Sequence, residues 1–463
     1  MRKMLMFVFV LFPAGLFCQF SGGTGTFEDP YQIATPEQFN ELRNYDGEMY
    51  FETFFILTGD IDLSGYGNWA PIGTFFSAVI DGNNHKITGL LIDRPNTDNI
   101  GIFGSIHIAK ISNFIIEGGS VSGQNFVGAI SGSMCSSASS ITNCHSTCDV
   151  LALNNAGGLV GNNAGTISNS SVSAVVISKI NVISYPGQLH EGGEYAGGIT
   201  AINSGNISTS YSTGTVKGFN YTGGLIGNNS GSVSNSYSIS DVKDISMEDA
   251  SFWDIGMYIG GFSGNNSGSI SKSYYAGTVT AAVTLVGGFT GSGSNSTNCF
   301  WDVNTSGRTT SSSGTGLTTA EMKTLSTYTD AGWDFYGESA NGTNDIWNIS
   351  STENDGYPSL TWEGPSGIQD NEIQVQAYTL LQNYPNPFNP VTTISYALPK
   401  AALVELNVYN LNGQLVQSLV NGKIGKGQHH AEFNADDLTS GLYIYNLKID
   451  GKSVQSRKMM LIK

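Results

Sequence analysis

The stretch AGGITAINSGNISTSYSTGTV, residues 196–216, returns 26 residues later as TGGLIGNNSGSVSNSYSISDV, residues 222–242. The pattern recurs as AGGLVGNNAGTISNSSVSAVV from Ala156, as IGGFSGNNSGSISKSYYAGTV from Ile259 and, in a closing form, as VGGFTGSGSNSTNCFWD from Val286. Degenerate copies precede these, IGIFGSI from Ile100 and VGAISGSM from Val127. Counted on the second glycine or its equivalent (101, 128, 158, 198, 224, 261, 288), the steps are 27, 30, 40, 26, 37 and 27 residues: one unit, lengthened twice. A unit this short, holding two or three brief strands and Asn/Gly turns, cannot bury its own apolar side, so neighbours must stack as a β-solenoid.

Stacking at ~4.8 Å between strands turns the repeats into columns. Ile167, Ile207, Val233 and Ile270 form an aliphatic ladder, with Tyr211, Tyr237 and Tyr274 as a second line four residues on. The pairs Asn162-Asn163, Asn228-Asn229 and Asn265-Asn266 are expected at corners, where Asn tolerates left-handed backbone and can hydrogen-bond along the stack. The repeated glycines are expected to supply positive φ or close approach. The pattern leaves open which parity of the Ser-rich strand faces inward, because Lys272 shares a column with Asn169, Thr209 and Asn235.

Composition agrees with an all-β chain. Of 463 residues 59 are Gly, 12% are charged and 11% aromatic, which disfavours both disorder and a helical bundle. Residues 19–377 hold 10 basic and 32 acidic residues, net −22, whereas 378–463 hold eight basic against five acidic. Without clustered Lys and Arg, nucleic acid and anionic membranes are excluded as partners. Arg2 and Lys3 precede the apolar run Met4 to Phe12, and residues 1–18 have the layout of a secretory signal peptide with cleavage near Cys18-Gln19. No later run of 18 apolar residues occurs, so an exported protein without a spanning helix is expected. In an oxidising compartment Cys135 pairs plausibly with Cys144 or Cys148, the alternative being buried thiols. The same three cysteines with His145 match no closed zinc spacing.

At the front, Thr35, Pro36 and Gln38 read as a capping box ahead of a helix to about Asn44; at the back, Thr318 and Glu321 repeat the device ahead of a helix ending near Asp330. The expected organisation is an N-terminal cap and opening strands over 19–98, repeats over 99–302, a C-terminal cap over 303–362, a linker over 363–377 and a last domain over 378–463.

The GGLVGNN and GGLIGNN cores, the GTFEDPYQI and LTGDIDL opening and the AGWDFYG and GYPSLTW exit resemble the GLUG-motif family of bacterial surface proteins. That resemblance covers roughly residues 21–362 and implies an extracellular, right-handed parallel β-helix, capped at both ends. A second resemblance lies in LLQNYPNPFNPVTTISYALP, VELNVYNLNGQLV and SGLYIYNLKIDGKSVQSRKMMLIK, which are similar to the C-terminal sorting domain of type IX secretion cargo. Tyr384, Pro385, Asn386 and Pro387, then Gly441 and Tyr443, then Lys458 and Lys463 carry this signature. It implies export by the type IX machinery, with removal or retention of the domain both open. Period-2 strands with Asn-Gly and Asp-Gly turns independently indicate a small immunoglobulin-like β-sandwich there.

Function is sought where the repeat is interrupted. The long steps place insertions at about 179–195 and 244–258, both just before a Gly-Gly marker and so at one corner, two turns apart. They gather Tyr185, His190, Glu191 and Glu194 with Asp249, Trp253, Asp254 and Tyr258 as candidate ligand-binding residues. Aromatic rings beside carboxylates suit sugar, the rings covering C–H faces and the carboxylates accepting from hydroxyls; the bland alternative is solvated decoration. No catalytic residue is assigned. The expected function is adhesion to an extracellular polymer, foremost a glycan. A β-helix polysaccharide lyase or glycoside hydrolase, which needs two carboxylates ~5–9.5 Å apart, and a ligand-free surface stalk are the alternatives. No cofactor motif occurs; Asp60 and Asp62 raise calcium, but turn and capping roles are preferred, and a net −22 body attracts calcium only weakly.

Overall fold

The computed structural model describes residues 20–181, 191–192, 194–245, 258–282 and 285–363, and in a second unit 378–380, 383, 386–398, 400–424 and 427–463. The expected signal peptide and the linker beyond residue 363 lie outside these. The chain divides into two units, Met1–Gly364 and Pro365–Lys463.

In the first unit each repeat is one coil with four edges. The coil from Thr200 runs through strands Thr200–Asn203, Asn206–Ser208, Tyr211–Gly218 and Tyr221–Gly223. Each joins a different parallel sheet, of 7, 10, 15 and 5 strands among the described residues. This is a parallel β-helix. Register follows the repeat: Ile167 pairs with Ile207, Ile207 with Val233, Val233 with Ile270. All four are at most 1% exposed, which fixes the inward parity. At about 1.5–3 kcal/mol per buried aliphatic side chain, such columns are the main drive for stacking.

The column of Asn169, Thr209, Asn235 and Lys272 proves to be the corner. With Asn113, Asn143 and Asn298, its members have φ between 43° and 58°. The left-handed backbone is therefore here, not at the Asn-Asn pairs. Those pairs end the strand one earlier in the coil (Val160–Asn163, Ile226–Asn229 and Ser263–Asn266), where the second member points inward: Asn163 donates to Asn203, Asn203 to Asn229 and Asn229 to Asn266, each Nδ2 to Oδ1 at 2.7 Å. A buried amide with both functions paired along the stack costs little; unpaired, it costs heavily. The recurring glycines serve close approach alone. A Cβ on Gly158 would lie 2.1 Å from the Gly198 carbonyl oxygen, and one on Gly198 2.2 Å from that of Gly224.

The expected disulfide among Cys135, Cys144 and Cys148 is not formed; all are free thiols, as is Cys299. Cys135, Cys144 and Cys148 occupy different columns. Cys144 precedes Ser170, Ser210, Ser236 and Ser273 in an inward ladder whose hydroxyls each donate to the carbonyl two residues back. Its Sγ makes the same contact to the Thr142 carbonyl, as Cys299 does to Thr297. Cys144 and Cys299 thus stand in for serine at either end of that ladder. Cys148 is buried before the next strand, and Cys135 is exposed. Burial pushes the Cys144, Cys148 and Cys299 thiols up to about 12.

At the front, helix Pro36–Asn40 is capped by Thr35, with Gln38 reaching back to the Ala34 amide, and continues as the 3-10 turn Glu41–Tyr45. At the back the Thr318/Glu321 capping box is present, but the expected helix is two, Thr319–Met322 and Leu325–Thr329. The C-terminal cap does more than close the end. It runs back along the coils, burying Trp333, Trp347, Tyr328 and Tyr357 against Tyr237, Tyr274 and Phe300. Its indole N–H groups bind the corner column: Trp333 to the Asn298 carbonyl, Trp347 to Asn235 Oδ1, Trp362 to the Thr209 carbonyl.

The second unit is a two-sheet antiparallel sandwich. Strands Thr379–Leu380, Val391–Leu398 and Gly427–Asn434 form one sheet; Leu415–Ile424, Ala402–Tyr409, Gly441–Ile449 and Lys452–Leu461 form the other. Ile394, Leu398, Val404, Leu406, Phe433, Tyr445 and Leu447 fill the space between.

Candidate functional site

Both insertions leave the β-helix at the corner ahead of the Gly-Gly marker. Tyr185, His190, Asp249, Trp253 and Asp254 lie outside the described residues. Glu191 is described in its backbone alone: Glu191–Gly192 pairs antiparallel with Ile180–Asn181, so the first insertion leaves and returns as a pair of short strands. Glu194 is exposed, and its carbonyl accepts from the Tyr221 amide at 2.8 Å.

The two insertions return at Tyr195 and Tyr258, and the structure brings these together through a residue not singled out from sequence. Tyr221, on the intervening coil that has no insertion, pairs in register with Tyr195. Tyr195 and Tyr221 stack at 4.9 Å and 17°, Tyr221 and Tyr258 at 5.2 Å and 17°. All three are partly buried. Tyr221 was findable: it precedes the T-G-G marker as Tyr195 precedes A-G-G and Tyr258 precedes I-G-G.

This geometry changes the chemistry available. Because the rings lie on one another, their inner faces are taken, and the row offers edges and phenol oxygens. The result is a line of hydroxyls at one per coil, ~4.8 Å apart in strand spacing, each able to donate and accept. Burial, with Glu194 and Tyr221 nearby, raises the Tyr195 phenol above its ordinary range, so it remains a neutral donor. Exposed Leu285 follows on the next coil and exposed Glu194 flanks the row, giving apolar and carboxylate neighbours. Tyr258 has φ +64°, a conformation that costs a bulky residue about 1–2 kcal/mol.

The other candidates resolve into structure. Asp60 Oδ1 meets His85 Nδ1 at 3.0 Å and accepts the Lys86 amide at 2.9 Å, and Asp62 caps the Ser64 amide. In the sorting signature, Tyr384 and Pro385 lie outside the described residues, while Asn386 and Pro387 are exposed and Asn386 Oδ1 accepts the Met460 amide. Gly441 opens the strand that carries Tyr443, whose hydroxyl donates to the Thr439 carbonyl; Lys458 is exposed on the last strand, and the Lys463 amide donates to Ser440. No helix among the described residues is long and apolar enough to cross a membrane.

Residues 382–463 match the family model of the secretion system C-terminal sorting domain. A provisionally named Gly-rich membrane protein of Evansella cellulosilytica is 34% identical over 165 residues, 33% of this chain and 15% of that protein. Halomucin of Haloquadratum walsbyi is 31% identical over 154 residues, 30% of this chain and 2% of its own. The chain thus spans a small fraction of the curated relatives it matches. Among solved structures, a Bacteroides ovatus protein provisionally titled an immunoglobulin A1 protease aligns at 19% identity and TM-score 0.48, over 74% of this chain and 96% of that one.

Proposed function

We propose, for a chain whose C-terminal sorting domain makes it type IX secretion cargo bound for the cell surface or the medium, that the β-helix is a rigid GLUG-type display rod. Its interrupted corner binds an extracellular polymer, foremost a glycan. The observation that carries this reading is the continuous row Tyr195, Tyr221, Tyr258. The insertions at 179–195 and 244–258 end on two of its members, Tyr195 and Tyr258, and a line of hydroxyls at one spacing per coil suits a ligand that itself repeats.

The strained backbone at Tyr258 supports the same reading. Asn or Gly would hold that left-handed corner more cheaply, so the tyrosine contributes there through its ring and hydroxyl rather than through its backbone preference. In this reading the carboxylates of the insertions, Glu191, Glu194, Asp249 and Asp254, accept from ligand hydroxyls, and the rings of Tyr185, His190 and Trp253 belong to the same ligand-binding set.

The test is a screen of the full exported chain against soluble and insoluble polysaccharides, with the supernatant followed for released oligosaccharides. Saturable binding that Tyr221→Ala lowers by ~10-fold or more, equivalent to ~1.4 kcal/mol, with no release, supports adhesion. Release of fragments moves the assignment to a lyase or hydrolase. Binding to none of the polymers leaves a stalk.

A further inference from the structure

The column His145, Ser171, Tyr211, Tyr237, Tyr274, Phe300 is in register across six coils and carries a ring everywhere except at Ser171. Trp362, from the far end of the unit, fills that gap. Its ring stacks on His145 at 5.2 Å and on Tyr211 at 5.6 Å, and its Nε1 donates to the Thr209 carbonyl at 2.9 Å. The next residue, Glu363, turns inward: Oε2 accepts from the Tyr237 hydroxyl at 2.8 Å and Oε1 from the Leu360 amide at 2.6 Å. We propose that Thr361–Glu363 is a releasable clasp that closes the C-terminal cap onto the coils, with Glu363 and His145 as opposed proton-sensitive members.

The groups around each member set the signs. Tyr211, Tyr237 and Tyr274 face Glu363 from the coils and Glu353 from the preceding turn, with no cation among them. Burial therefore pushes its carboxyl up to about 7 despite two donors. The closed clasp holds a proton that the open one gives up, so this contribution is whole below the ordinary 4.5 and is lost as pH rises to about 7. Around His145 lie Trp362, Ser171 at Nδ1 (2.9 Å) and Asn143 at Nε2 (3.3 Å). Burial lowers it to about 4, so its contribution is whole above the ordinary 6.5 and is lost as pH falls towards 4. Between these limits the two slopes oppose each other, and closure is insensitive to pH although each member is not.

Acrylamide quenching of Trp362 in the full chain, taken as the difference between the parent and its Trp362→Phe variant, reads the clasp. Glu363→Gln leaves only His145, and Trp362 becomes accessible on acidification through the range 6.5 to 4. His145→Gln leaves only Glu363, and accessibility rises with pH through the range 4.5 to 7. Each changes the open-to-closed ratio by up to ~10-fold per pH unit, while the parent stays level. Far-UV circular dichroism, unchanged in both variants, keeps unfolding apart from opening. Level profiles in either variant, or shifts in the same direction in both, overturn the proposal.

Discussion

The corner residues carry more of this fold than their chemistry suggests. In the left-handed column, Asn occupies 113, 143, 169, 235 and 298, while Thr209 (φ 43°) and Lys272 (φ 46°) depart from it. A β-branched residue is the least suited to that backbone. Thr209 keeps one compensation, its hydroxyl bond to Asn169 Oδ1 at 2.6 Å. An Asn reproduces it, as Asn143 does towards Asn113. Thr209→Asn is therefore expected to stabilise the β-helix by ~1 kcal/mol, read as a raised denaturant midpoint at unchanged slope. At Tyr258 relief of the same strain is offset by loss of a stacked ring worth ~0.5–1.5 kcal/mol. Tyr258→Asn should leave stability within about 1 kcal/mol of the parent while weakening polymer binding; a variant that binds normally contradicts the site. These corners were only half legible. Asn is enriched at the column, but Thr and Lys are not turn residues, and only the register shows that all of them share one φ.

At the scale of elements, the inward polar ladders separate this β-helix from a purely aliphatic stack. Asn229 donates to Asn266 and accepts from Asn203 at full burial. Asn229→Ala strands a donor on one neighbour and an acceptor on the other, at ~1–3 kcal/mol each. The expected loss is ~2–6 kcal/mol by chemical denaturation, and a loss below ~1 kcal/mol means the ladder is hydrated. The aliphatic columns were legible because the period was visible in five segments. Asn bonding along the stack was legible too, from the recurring Asn pairs; the Ser ladder and the inward direction were not, since Ser in a Gly-rich repeat reads equally as solvated turn until parity is known. The cysteines misled for a related reason. Compartment and spacing argue for a disulfide, but Cys144 and Cys299 sit where the repeat puts serine, and columns, not sequence distance, decide which side chains meet. Trp362 beside Ser171 was beyond pattern reading, because the missing ring and its replacement are 191 residues apart.

For the whole molecule, a sorting domain at residues 382–463 makes export the setting for everything else. Deleting the strand Lys452–Leu461 with the two residues after it removes one edge of the four-stranded sheet and the buried Met459 and Leu461. Cell fractionation should then find the protein retained within the envelope, whereas undiminished export contradicts the assignment. The central claim is that the row Tyr195, Tyr221, Tyr258 binds an extracellular polymer, and it is tested most directly by titrating a bound polysaccharide against the full chain and its Tyr195→Ser/Tyr221→Ser/Tyr258→Ser variant. With circular dichroism unchanged, the account predicts loss of binding by ~100-fold or more, equivalent to ~2.7 kcal/mol; equal affinity in the two proteins would contradict it.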